Sequence, residues 1–143
     1  MFMGEYSHTI DAKGRMIIPS KLRDELSEEF VITRGLDGCL FVYPMEDWKE
    51  LLGHLKQLPL NAKDAREMNR FFLSGATNGE IDKQGRVLIP SVLRNYAKIT
   101  KDVVLLGVGN RIEIWDKDVW EGTASFDNMD EIADRISELG FSI

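Results

Sequence analysis

Thirteen residues of this chain are written twice. DAKGRMIIPSKLR occupies residues 11–23 and DKQGRVLIPSVLR residues 82–94. Eight of the thirteen positions are identical: Asp11/Asp82, Gly14/Gly85, Arg15/Arg86, Ile18/Ile89, Pro19/Pro90, Ser20/Ser91, Leu22/Leu93 and Arg23/Arg94. Met16 to Val87 and Ile17 to Leu88 are apolar exchanges. Gly4 and Ile10 correspond to Gly75 and Ile81 at the same offset, and DGCLFVYPMEDW at 37–48 aligns with GNRIEIWDKDVW at 109–120 after a one-residue insertion, which matches Trp48 to Trp120. Each copy therefore spans about fifty residues. A unit that small cannot bury much surface alone, so two copies must share a core.

Within a copy the pattern predicts mainly β structure with helices, an α+β chain. A short strand near Ser7–Ile10 (Asn78–Ile81 in the second copy) leads into Asp-x-x-Gly-Arg, where glycine supplies the positive φ of a tight turn. MII or VLI follows as a three-residue strand. Pro19-Ser20 and Pro90-Ser91 then open a helix of about two turns, with proline suited to a first turn and serine to capping. Two β-rich segments close each copy, FVITR and CLFVY, then DVVLL and RIEIW, broken by turn letters that include Gly107 and Gly109.

Between the copies, Leu51, Leu52, Leu55 and Leu58 recur at helical spacing, Pro59 ends that helix, and Ala65, Met68, Phe71 and Phe72 define another. MDEIADRISELG is a third amphipathic helix. The expected organisation is a first domain at 5–47, a helical connection at 48–75, a second domain at 76–119 and an acidic C-terminal helix at 120–143. Strands of the two copies are expected to interleave about a pseudo-two-fold as two barrel halves, with Trp48 and Trp120 closing the barrel ends. Apolar helix faces left over favour a homo-oligomer.

The formal charge of −6 argues against an indiscriminate binder of nucleic acid, but it is unevenly placed. Residues 116–143 carry eight acids and two bases, while residues 1–115 are neutral. Residues 11–23 hold Lys13, Arg15, Lys21 and Arg23 against Asp11 alone. No apolar run reaches membrane-spanning length, and the opening MFMGEYSHTIDAKGR lacks signal-peptide architecture. The single cysteine, Cys39, excludes an internal disulfide, suits a reducing cytoplasm and reads as a small buried hydrophobe.

Taken as hairpin punctuation, Asp-x-x-Gly-Arg needs no function: aspartate caps a turn, glycine makes it, and arginine pairs with the aspartate. Packing accounts for repeated Gly, Ile, Pro and Leu, but not for arginines repeated at both Arg15/Arg86 and Arg23/Arg94. A planar guanidinium on a narrow turn or ribbon can take phosphate or a guanine edge with two hydrogen bonds inside a DNA groove. On this reading Arg15 and Arg86 are the principal contacts. Lys13, Lys21, Arg23 and Arg94 support them, with the two helix arginines equally able to brace the hairpin. Asp11, Gly14, Asp82 and Gly85 orient the motif. Gln84 and Val92 replace Lys13 and Lys21 in the second copy, which predicts weaker binding by that loop. One loop neutralises few phosphates, so repeated loops acting on repeated sites are expected.

The pattern Asp-x-x-Gly-Arg-x-x-Ile-Pro-Ser-x-Leu-Arg, present twice, resembles the SpoVT–AbrB swapped-hairpin class of bacterial DNA-binding domains. The tandem arrangement is similar to the MraZ family of regulators across essentially the whole chain. The resemblance implies a ring-shaped homo-oligomer that binds short direct repeats of double-stranded DNA. It implies repression of the protein's own division and cell-wall operon, in the cytoplasm at the nucleoid. It implies no cofactor, metal, membrane or small-molecule substrate.

Other classes fit less well. An enzyme is poorly supplied: His8 and His54 are the only histidines, His8 has Gly79 as its counterpart, and no phosphate-binding glycine motif is present. An antitoxin-like protein of the same fold, acting through a protein partner, is the alternative. Its usual form has one copy and a disordered acidic tail, whereas here Met129, Ile132, Ala133, Ile136 and Leu139 give the tail helical periodicity.

Overall fold

A computed structural model describes residues 1–143. The first copy forms β1 (Phe2–Thr9), β2 (Arg15–Ile17), α1 (Ser20–Leu26), β3 (Phe30–Arg34) and β4 (Leu40–Pro44). Helices α2 (Met45–Lys56) and α3 (Lys63–Gly75) connect it to the second copy. That copy repeats the order with β5 (Thr77–Gly79), β6 (Arg86–Leu88), α4 (Ser91–Ala97), β7 (Asp102–Gly109) and β8 (Ile112–Asp116), followed by α5 (Lys117–Thr123) and α6 (Met129–Glu138). No helix is long and apolar enough to cross a membrane.

The copies exchange strands. One antiparallel sheet runs β1-β7-β8-β4-β3-β5, and a second, two-stranded ribbon joins β2 to β6. First-strand β1 thus lies on β7 of the other copy, and its counterpart β5 lies on β3 of the other copy. The registers place a two-fold axis at two points. Met16 faces its own counterpart Val87, with Arg15 opposite Leu88 and Ile17 opposite Arg86. Phe41 faces its counterpart Glu113, with Leu40 opposite Ile114 and Val42 opposite Ile112.

The expected pseudo-two-fold and interleaving are present, but the sheet is not a closed barrel. Its edges, β1 and β5, feed straight into β2 and β6. Those two strands leave the sheet to pair with each other over one face, so the edges never meet. Trp48 and Trp120 accordingly close no barrel end. Both sit on helices: Trp48 on α2 packs 6.3 Å from Tyr43, and Trp120 on α5 lies 5.2 Å from Trp115 (centroid distances).

Both faces of the central strands β7, β8, β4 and β3 are buried, which is why these read as largely apolar runs. Side chains alternate with period two. Phe30, Ile32, Leu40, Val42, Val103, Leu105, Ile112 and Ile114 point to one face, where the ribbon, α1 and α4 cover them through Met16, Ile18, Leu22, Val87, Ile89 and Leu93. Val31, Phe41, Tyr43, Val104, Leu106 and Trp115 point to the other, under Trp48 and Leu55 of α2 and Phe72 of α3. Cys39 belongs to this second layer; burial pushes its thiol up to about 12, and its Sγ–H donates to the Leu36 carbonyl at 3.3 Å.

Several local expectations change. β1 begins at Phe2, well before Ser7, because its whole length finds a partner in β7. The N-caps of α1 and α4 are Pro19 and Pro90, with no side-chain cap; the Pro19 carbonyl accepts from Leu22 and Arg23, and the Pro90 carbonyl from Leu93 and Arg94. Ser20 and Ser91 are first helical residues instead. Gly107 is a strand residue, not a turn residue, and a β-carbon there would collide with the Met3 backbone of β1. Helix α5, which the sequence pattern does not predict, is capped by Asp116, whose carboxylate accepts from the Val119 amide at 3.2 Å.

The two adjacent positions Leu88 and Ile89 give a direct check of the ribbon's alternation. Ile89→Ala removes a fully buried side chain and is expected to cost about 3 kcal/mol. Leu88→Ala, on the solvent side, should stay within about 0.5 kcal/mol. Urea unfolding midpoints of the two variants measure this, and a reversed order would refute the register of β6.

Candidate nucleic-acid interface

Two loops, 11–15 and 82–86, carry the same hydrogen bonds atom for atom. Asp11 Oδ1 accepts from the Lys13 and Arg15 amides, each at 2.9 Å, and Asp11 Oδ2 accepts from Arg15 Nε at 2.8 Å. Asp82 Oδ1 accepts from the Gln84 and Arg86 amides and Oδ2 from Arg86 Nε, all at 2.9 Å. The loop closes through Asp11 N–H to the Arg15 carbonyl (2.8 Å) and Gly14 N–H to the Asp11 carbonyl (3.0 Å), again matched at Asp82, Gly85 and Arg86. Gly14 and Gly85 sit at φ +86° and +79°, which an L side chain rarely adopts.

This arrangement fixes the arginine by its Nε edge and leaves both terminal nitrogens without a partner in the chain. They remain free for a ligand with two acceptors. The amides of Arg15 and Lys13 hold the Asp11 carboxyl below its usual value, the Arg15 amide contributing most and its guanidinium reinforcing it; Arg86 and Gln84 do the same for Asp82.

The ribbon sets the loops beside each other. Met16 and Val87 point inward and are buried, so Arg15, Ile17, Arg86 and Leu88 all fall on its outer face. Arg15 and Arg86 line a single cleft with Leu88 and Pro90. Ile17 and Leu88 are 45% and 55% exposed. The apolar triplets MII and VLI predict a strand but not this exposure. Strict alternation about the buried Ile18 and Met16 was the available signal. Lys83 was missed as well. It is exposed one position before Gln84, so each loop presents one lysine, Lys13 or Lys83.

The remaining candidates divide. Lys13 and Lys21 are exposed. Arg23 on α1 and Arg94 on α4 are half-buried, and each lies against the turn glycine of the other copy. His8 is half-buried on β1 and His54 exposed on α2; neither joins the loops. No group of three or more His, Cys, Asp or Glu side chains gathers where a metal could be held.

Exchanged first strands and a symmetric ribbon with paired arginine loops define a tandem swapped-hairpin protein, with both copies in one chain. Comparison with known proteins carries this to a family. Residues 1–71 and, separately, 72–137 match the family described as "MraZ protein, putative antitoxin-like". A protein of Lachnoclostridium phytofermentans named "Transcriptional regulator MraZ" is 60% identical over 142 residues, covering 99% of each chain. Proteins of the same name from a Thermoanaerobacter species and from Clostridium tetani are 57% and 56% identical, covering 97% and 98% of this chain and 99% of theirs. The chain belongs to the MraZ family.

The depressed aspartates give a pH test with a definite sign. A carboxyl whose folded pKa lies below its unfolded value of 3.8 stabilises the fold above that value, and the contribution is lost as pH falls through the folded pKa. Wild type should therefore exceed Asp11→Asn/Asp82→Asn in urea midpoint at neutral pH, and the gap should narrow below about pH 4. A gap that widens on acidification contradicts the assignment.

Proposed function

We propose that this chain is a sequence-specific DNA-binding regulator of transcription, with Arg15 and Arg86 as its principal contacts. The observation that carries the reading is the pair of arginines on one ribbon face, each locked at Nε and open at both terminal nitrogens. That is the geometry for a guanine edge or a phosphate. Lys13, Lys83 and Lys21 add phosphate contacts. Asp11 and Asp82 stay off the DNA, since their oxygens are already occupied. Ile17 and Leu88, apolar and exposed between the arginines, suit the thymine methyl group.

The family supports the regulator reading. Relatives over nearly the whole chain are named transcriptional regulators, and none of those named above carries an enzyme's name. The protein acts in the cytoplasm at the nucleoid, as a ring of subunits. It binds short direct repeats before its own division and cell-wall operon and represses it. A ring suits the electrostatics: each protomer offers few phosphate contacts, and multiple loops on multiple sites multiply them.

The test is equilibrium binding to the DNA immediately upstream of the protein's gene, against a scrambled fragment, at two salt concentrations. Arg15→Ala/Arg86→Ala should lose roughly a hundredfold in affinity and most of the selectivity, while light scattering shows unchanged assembly. Undiminished binding by the double variant would reduce the arginines to turn hardware. A wild type without selectivity would remove the regulator reading altogether.

A further inference from the structure

Arg23 and Arg94 recur as faithfully as Arg15 and Arg86, yet neither takes part in any ion pair or side-chain hydrogen bond of the chain. Each lies over the turn of the opposite copy. A β-carbon at Gly14 would stand 2.9 Å from Arg94 Cζ and 3.1 Å from its Nε, and one at Gly85 would collide with Arg23 Nη1. The Nε of Arg94 is buried without a partner, a cost that packing at this place must offset. Backbone bonds run along the same crossing: Ile89 N–H donates to the Gly14 carbonyl at 2.8 Å, and Ile18 N–H to the Gly85 carbonyl at 3.1 Å.

We propose that Arg23 and Arg94 are positioning residues that act across the pseudo-two-fold: Arg23 fixes the Gly85 turn that presents Arg86, and Arg94 fixes the Gly14 turn that presents Arg15. The inference rests on Arg15 and Arg86 being the DNA contacts. A flat guanidinium fits over a glycine where a tetrahedral ammonium does not. The glycine is thus required twice, for its positive φ and for the arginine that lies on it. Each loop is closed by its own aspartate and braced from the other copy, which explains why the loop glycine and the helix arginine are duplicated together.

Two readouts on the full-length protein test this. The first needs no DNA. In amide NMR spectra, Arg23→Lys should shift the amides of residues 82–86 and spare 11–15, and Arg94→Lys should do the reverse. Shifts confined to the substituted copy, or absent from both loops, overturn the proposal. Lysine retains the charge and an unbranched apolar stem, and thermal melts confirm that both variants fold.

The second readout is affinity for the upstream DNA. Arg23→Lys should weaken binding roughly tenfold alone and in the Arg15→Ala background, yet add little to Arg86→Ala, and Arg94→Lys should show the mirrored pattern. Wild-type affinity in both lysine variants would overturn the positioning role. If wild-type protein shows no selective DNA binding, the regulator reading falls, and the amide shifts still decide whether the crossed brace exists.

Discussion

Everything distinctive in this molecule depends on one short antiparallel crossing, Met16 against Val87. Three residues per strand make too few hydrogen bonds to survive alone in water. The crossing persists because both central side chains are sealed into the core and because the flanking amides of Ile18 and Ile89 bond to the opposite turns. Its effect is topological. Once β2 and β6 are paired, the strands leading into them must fall on opposite halves of the sheet, β1 on β7 and β5 on β3. Neither copy then holds a complete set of strands of its own, and a core too small for either becomes adequate for both.

The crossing also decides what the arginine loops can do. An exposed Asp–Arg pair, screened by solvent, adds little to stability, so Asp11–Arg15 and Asp82–Arg86 matter little as cement. Their value lies in preorganisation. The carboxylate collects two amides and one guanidinium edge, which freezes the turn and aims the side chain before any ligand arrives. A long flexible side chain held this way loses less entropy on binding. One aspartate therefore serves the fold and the site at once, and the pairing and ligand-contact readings of the motif do not compete.

The repeat made most of this legible. Thirteen duplicated letters were enough to predict the paired units, the turn glycines, the two-turn helices at Ser20–Leu26 and Ser91–Ala97 and the interleaved sheet. What escaped the reading depends on contacts between distant segments. Closure into a barrel was refuted by the departure of β2 and β6 from the sheet, a matter of which strands pair and not of which residues are strands. Helix α5 hid behind the expectation that Trp120 simply followed the last strand. The exposure of Ile17 and Leu88 was obscured because short apolar triplets look buried on both sides until the facing layer is known. The placement of Arg23 and Arg94 across the axis had no local signature at all.

The departures from symmetry are as informative as the symmetry. On the ribbon face the equivalences hold closely: the loops bond identically, and a lysine lost at Gln84 is restored next door at Lys83. At the other end of the axis they fail. Phe41 meets Glu113, Arg111 lies 4.4 Å from the Phe41 ring centroid while pairing with Glu113 at 2.7 Å, and Trp115 Nε1 donates to the same carboxylate at 3.1 Å. The α2–α3 hairpin packs on that face, tied to β3 by Thr33 Oγ1 donating to the Phe72 carbonyl at 2.6 Å. Helices α5 and α6 follow the second copy in the same order but have no buried residue, so the two halves are not covered alike. A duplicated chain is free to diverge wherever a single copy of an element suffices. It is held to equivalence where each half completes the other, and in this molecule that place is the ribbon with its four arginines.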